Sequence, residues 1–193
     1  MENPWEKIAL ADYENHMRHK TVGQLQCLKS LMKDQLNKYP VGSVMILGVA
    51  GGNGLEHINK ARLHKVYGID VNSGYLKECM LRYSDISDIL ECLCIDLTDE
   101  SAAVPEAEMI IADLLIEYIG YVNFQNVVIK ARPKYVSCVL QINSDSGFVS
   151  DSPFFHAFDG LSAVHRDIGR EELLYAMKEI GYRHFYETNR SLN

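Results

Sequence analysis

The apolar positions of this chain change their period several times, and each change marks an element. Val22, Leu25, Leu28, Met32 and Leu36 recur at three- and four-residue spacing, which predicts a helix with one apolar face. Tyr39-Pro40-Val41-Gly42 then stops it, because a residue before proline is pushed out of the helical region. From Val44 the pattern turns into short apolar runs, at residues 44–47, 65–70, 90–95, 109–112 and 135–142. Between these runs, Tyr75, Leu76, Cys79, Met80 and Tyr83 line one helical face, and residues 119–132 form a helix stopped by Pro133. Residues 170–180 read as an amphipathic helix with Gly181 at its C-terminal cap, and residues 182–188 as a sixth strand. Continuous apolar strands alternating with helices predict an α/β fold: a mostly parallel sheet with helices on both faces.

The chemistry lies in the turns. VMILGVAGGNGLEHI, residues 44–58, runs from a strand into a turn crowded with Gly48, Gly51, Gly52 and Gly54, followed by the start of a helix. Glycines let the backbone turn sharply and approach a ligand, and a helix behind them presents free N–H groups and a positive dipole end. The second strand ends in Asp70, near the roughly 20-residue spacing at which Rossmann-like folds set a carboxylate against ribose hydroxyls. The third leads into Asp96-Leu97 and the fourth into Asp113. A single such Asp reads as a turn or cap residue, whereas the set falls on one carboxyl edge of a parallel sheet, where these folds bind ligands.

Taken in order, these motifs resemble the class I S-adenosylmethionine-dependent methyltransferases over roughly residues 41–186. The resemblance implies a Rossmann-like methyltransferase fold and S-adenosyl-L-methionine as cofactor. It implies that Gly48, Val49, Ala50 and Gly52 pass under the methionine part, that Asp70 with Val71 holds the ribose, and that Asp96 with Leu97 meets the adenine. The stretch MIIADLLIEYIG matches the family's fourth-strand pattern. Two positions depart from it: Ile46 stands where the family has an acid, and Ala50 replaces the middle glycine. The contact to the methionine ammonium then falls to another carboxylate, and Asp113 is the candidate. The family's antiparallel seventh strand has no room before Asn193, so either the sheet lacks its last strand or the sequence is truncated.

Composition narrows the partners. The chain of 193 residues is 47% hydrophobic and 23% charged, the profile of one domain. Residues 1–39 read as an N-terminal helical lid segment, residues 40–193 as the core, and residues 143–169 as an aromatic-bearing cap loop with Phe148, Phe154, Phe155, His156, Phe158 and His165. The net charge of -7 and the lack of a basic stripe disfavour nucleic acid, since Lys130, Arg132 and Lys134 suit a helix end. The 5 cysteines show no paired metal spacing, and no HExxH pattern occurs, so no metal is expected. Cys92 and Cys94 share one side of a strand as small buried residues, in a reducing cytoplasmic setting. The N-terminus does not read as a signal peptide, and no run of apolar residues is long enough to span a membrane.

The acceptor is expected to be a small molecule, because the tetrapeptide Asn/Asp-Pro-Pro-Tyr/Phe of base-amine methyltransferases is replaced by ADLLIE. Tyr13, His16, Glu117, Tyr118 and His156 are candidates beside the methyl, with Tyr13, Tyr118 and His156 expected to line the acceptor pocket. Competing readings are a non-catalytic S-adenosylmethionine-binding module, which Ile46 favours, and an RNA or protein methyltransferase. A nicotinamide-dependent oxidoreductase is disfavoured because GVAGGNG lacks the G-x-G-x-x-G spacing.

Overall fold

The structure, a computed structural model, describes residues 3–142 and 149–192. Five strands, β1 (Ser43–Leu47), β2 (Lys65–Asp70), β3 (Leu90–Cys94), β4 (Met109–Asp113) and β5 (Tyr135–Val139), pair in parallel in the order β3-β2-β1-β4-β5. The order reverses between β1 and β4, and that switch point opens a crevice at the carboxyl edge. Alternation along the strands divides the core. Val44, Ile46, Met109 and Ile111 face α2 (Gln24–Lys38) and α3 (Ser73–Arg82), meeting Met32, Leu36, Leu76 and Cys79. Met45, Leu47, Ile110 and Ala112 face α4 (Ile116–Ala131) and α5 (Arg170–Glu179), meeting Phe124, Val127, Val128, Leu173 and Met177. Both faces are therefore covered, and α1 (Leu10–Arg18) lies outside them.

Several expectations are corrected. The helix expected behind the glycine turn is only the 3-10 turn Leu55–His57. Running back along a five-residue strand would take about eleven helical residues, and the short link to β2 cannot fold as such a helix and still turn. The preceding helix α2 fills that place, with Met32 packed over Gly54. No helix joins β3 to β4, where residues 95–108 run without one. Residues 182–188 add no sixth strand. Phe185 instead packs edge-on to the stacked Tyr39–Tyr135 pair, and the Tyr182 hydroxyl donates to the Pro133 carbonyl. The fifth strand stops at Val139 because the Gln141 N–H is taken by the Glu117 carboxylate. Cys94 is exposed rather than buried. Gly181 does close α5, with φ 90° and the Tyr182 N–H returning to the Met177 carbonyl.

Candidate functional site

The glycine turn is held by the end of β2. Gly48 and Val49 donate their N–H groups to the Ile69 carbonyl at 2.8 and 3.0 Å. Ala50, at the unusual φ of 47°, donates to Asp70 Oδ2 at 2.9 Å, while Asn72 N–H donates to Oδ1 at 2.9 Å. A non-glycine residue in the left-handed region is strained, and the Asp70 bond is what fixes it there. Burial pushes the Asp70 carboxyl above its ordinary range, against the pull of these N–H donors. Asn72 caps α3 through Gly74 N–H and Tyr75 N–H, and its amide donates to the Trp5 carbonyl at 3.0 Å. The N-terminal segment is thereby tied down across the end of β2.

Two cavities open at the switch point, and Tyr13 lines both. The smaller, about 40 Å³, lies among Gly48, Val49, Ala50, Ile46 and Asp113, with room for only a few waters. Asp113 Oδ1 accepts from Gln35 Nε2 at 2.8 Å, but its buried Oδ2 has no partner. Burial, with the Glu117 charge adding, raises this carboxyl to about 7. The larger cavity, about 710 Å³, is walled by Trp5, His16, Tyr118, Phe158, His165 and Glu117. Trp5 meets Tyr118 edge-on at 4.9 Å and Tyr13 at 6.0 Å, and Tyr118 meets His165 at 5.6 Å. Residue Glu117 is 6% exposed, and its Oε2 is also without a partner.

Helix α1 and the segment after residue 148 clasp each other over this cavity. His16 Nδ1 bonds Ser152 Oγ at 2.8 Å with its ring 4.4 Å from Phe158, and Thr21 Oγ1 donates to the Asp151 carbonyl. Burial lowers the His16 pKa, and His19 adds to the effect. Glu14 of α1 pairs with Arg82 of α3 beside Gly51. The Phe155–Ala163 stretch of the expected cap loop is a 3-10 helix, whereas residues 143–148, including Phe148, lie outside the described residues.

The sequence candidates thus separate. Gly48, Val49, Ala50 and Asp113 come together at the small cavity, and Tyr13, His16, Glu117 and Tyr118 at the large one. Gly52 faces away, toward Tyr83 and Cys79. Val71 follows Asp70, and its carbonyl accepts from Cys94 Sγ. Asp96 Oδ1 accepts from Thr98 N–H and Oγ1, a turn bond, and Leu97 is buried in the core; neither lines either of these two cavities. The His156 side chain is 91% exposed beside Asp159, so the structure does not bring it to the larger cavity. His165 and Phe158 occupy that wall instead, joined to Trp5 and Tyr118 only by tertiary closure. The basic residues Arg132 and Lys134 pair with Glu106 and Glu108, and Lys130 caps the Glu100 and Ala102 carbonyls.

Solved structures share this architecture. A provisionally named methyltransferase of Haloferax volcanii, in complex with the Trm112 methyltransferase activator, matches with TM-score 0.59 and 14% identity over 90% of this chain and 73% of its own. One from Bacillus halodurans gives TM-score 0.56 and 12% identity over 79% and 68%. The [4+2]-cyclase SpnF gives 0.53 and 11% over 80% and 57%. No protein-family model matches the sequence, and no curated protein does. The chain has the class I methyltransferase fold, Rossmann-like and α/β. A cyclase among these neighbours shows that the fold alone does not name a reaction. Among the described residues, no helix is long and apolar enough to cross a membrane.

Proposed function

We propose that the chain is an S-adenosylmethionine-dependent methyltransferase with a small-molecule acceptor. The observation that carries this is the buried, unpartnered Asp113 Oδ2 beside the glycine turn, in a cleft that shares Tyr13 with an acceptor-sized cavity. In this reading Gly48, Val49 and Ala50 line the methionine end and Asp113 takes its ammonium, standing in for the acid that Ile46 displaces. Asp70 keeps lone pairs for the ribose hydroxyls, and Val71, Asp96 and Leu97 flank the nucleoside. When bound, the cofactor supplies an electrophilic methyl on a sulfonium. The protein aligns the acceptor, excludes water and removes a proton. Tyr13, at the junction of the cavities, marks the path between donor and acceptor. The basic residues neutralised by Glu106 and Glu108 leave no stripe for a polyphosphate. Calorimetry should show binding of S-adenosylhomocysteine and none of NADH. The reverse pattern would overturn the reading, and binding without any methyl transfer would leave a binding module.

The small cavity is too tight for a whole nucleoside cofactor, so entry requires the N-terminal segment to lift off Asn72 and Arg82. Residues 3–20 and 149–169 should then act as one lid. On S-adenosylhomocysteine binding, amide exchange should slow in both segments, because ordering a lid lowers its local opening. Slowing confined to residues 48–54 would rule the lid out.

A further inference from the structure

Resting on that reading, we propose that the large cavity takes a protonated amine as acceptor, bound by Glu117 and the rings of Trp5, Tyr13 and Tyr118, with Glu117 receiving its proton. Glu117 stands in the short turn of α4 that precedes a kink at Gly120, where the backbone is non-helical (φ 75°), and its Oε1 accepts the Gln141 N–H at 3.0 Å. Its Oε2 is buried and unpartnered, and the residue borders the cavity. A buried carboxylate oxygen without a donor is costly, and a cationic N–H donor is the group that relieves it. Trp5, Tyr13 and Tyr118 stand together in the same wall, and aromatic rings attract a cation to their faces.

The charges acting at the buried end of the cavity are carboxyl groups, while its arginines, Arg166 and Arg170, are exposed residues of the wall. The charged groups bearing on the Tyr13 hydroxyl are Asp70, Glu14 and Asp113, and Glu117 bears on Tyr118. Asp113 and Glu117 together bear on the Cys138 thiol. Arg170, on the cavity rim, is already paired with Glu187 and Glu171. The four carboxyl groups, Glu14, Asp70, Asp113 and Glu117, favour an ammonium over an anion at this buried end.

The chemistry balances. The ammonium N–H bond breaks and its proton forms an O–H bond on Glu117 Oε2, leaving a neutral amine. The freed nitrogen lone pair forms the new N–C bond to the methyl of the sulfonium donor. The C–S bonding pair stays on sulfur, giving a neutral thioether and a methylated ammonium.

Trp5 is the single tryptophan and lies in the cavity wall, so in the absence of cofactor its fluorescence reports on this wall. Phenethylamine should change that signal saturably without cofactor, and 3-phenylpropionate, of similar size and opposite charge, should not. Glu117→Gln should weaken phenethylamine binding at least about tenfold, about 1.4 kcal/mol, and keep S-adenosylhomocysteine binding by calorimetry. If the variant does not fold, the charge preference of the wild-type protein decides the matter. Equal binding of the anion, or amine binding unchanged in Glu117→Gln, overturns the proposal. Amine binding that depends on Glu117 in a protein that ignores S-adenosylhomocysteine would retain the amine site and reject the methyltransferase reading.

Discussion

Asp113→Asn is expected to lose S-adenosylhomocysteine binding by about ten- to a hundredfold at neutral pH while making the ligand-free protein more stable. The loss follows from removing a charge-assisted bond to the ligand ammonium, worth roughly 1.5–3 kcal/mol. The gain follows from linkage. The folded pKa of about 7 lies above the ordinary carboxyl value, so the folded state holds this proton more tightly than the unfolded chain does. The associated stability is therefore full below about pH 4 and is lost as pH rises to about 7. An asparagine keeps the Oδ1 that Gln35 donates to and never ionises, so it escapes that loss. Its own buried N–H₂ group lacks an acceptor, which trims the net gain to roughly 1–2 kcal/mol above pH 7. Denaturant unfolding at pH 5 and pH 8 should thus show wild type and variant converging in acid and separating in base. Wild-type affinity for the ligand should rise through the same interval, since binding below about pH 7 must first expel the proton. A variant that binds normally, or that is destabilised at pH 8, would falsify the assignment of Asp113.

Much of the sheet is legible in the sequence because strands buried on both faces read as unbroken apolar runs. The expected residues 65–70 coincide with β2, and 44–47 with all but the first residue of β1. Asp70 and Asp113 are legible for a related reason, since parallel strands deliver their ends to one edge. The features that escape the sequence depend on contacts distant along the chain. Residues 182–188 have a strand's composition, but Phe185 rests edge-on against Tyr39 and Tyr135, still largely exposed and without backbone pairing. His156 and His165 share one loop, and nothing local ranks them. Only closure onto Tyr118 selects His165. Glu117 is legible as a candidate from its place after β4, but its orphaned oxygen depends on the Gln141 N–H arriving from β5. The glycine turn is legible as a sharp turn at the carboxyl edge, although Gly51, Gly52 and Gly54 make room for protein side chains.

Gly52→Val tests that last point through stability. Gly52 has φ 88°, and a β-carbon there would stand 2.5 Å from the Tyr83 ring and 3.0 Å from Cys79 Sγ. Two costs combine: about 1–2 kcal/mol for a branched residue in the left-handed region, and about 1–3 kcal/mol for forcing side chains into a filled core. The variant should therefore unfold at a clearly lower denaturant midpoint, by roughly 2–5 kcal/mol. Gly23→Ala separates the two terms, because Gly23 has φ 65° with nothing within 4 Å of the added carbon. That change should cost only the backbone term, about 1 kcal/mol. Since the Gly52 side faces α3 and not the cleft, folded Gly52→Val should bind S-adenosylhomocysteine within about threefold of wild type, under 1 kcal/mol. Unaltered stability with lost binding would mean that the space beside Gly52 belongs to the ligand, and that Tyr83 moves aside when it arrives.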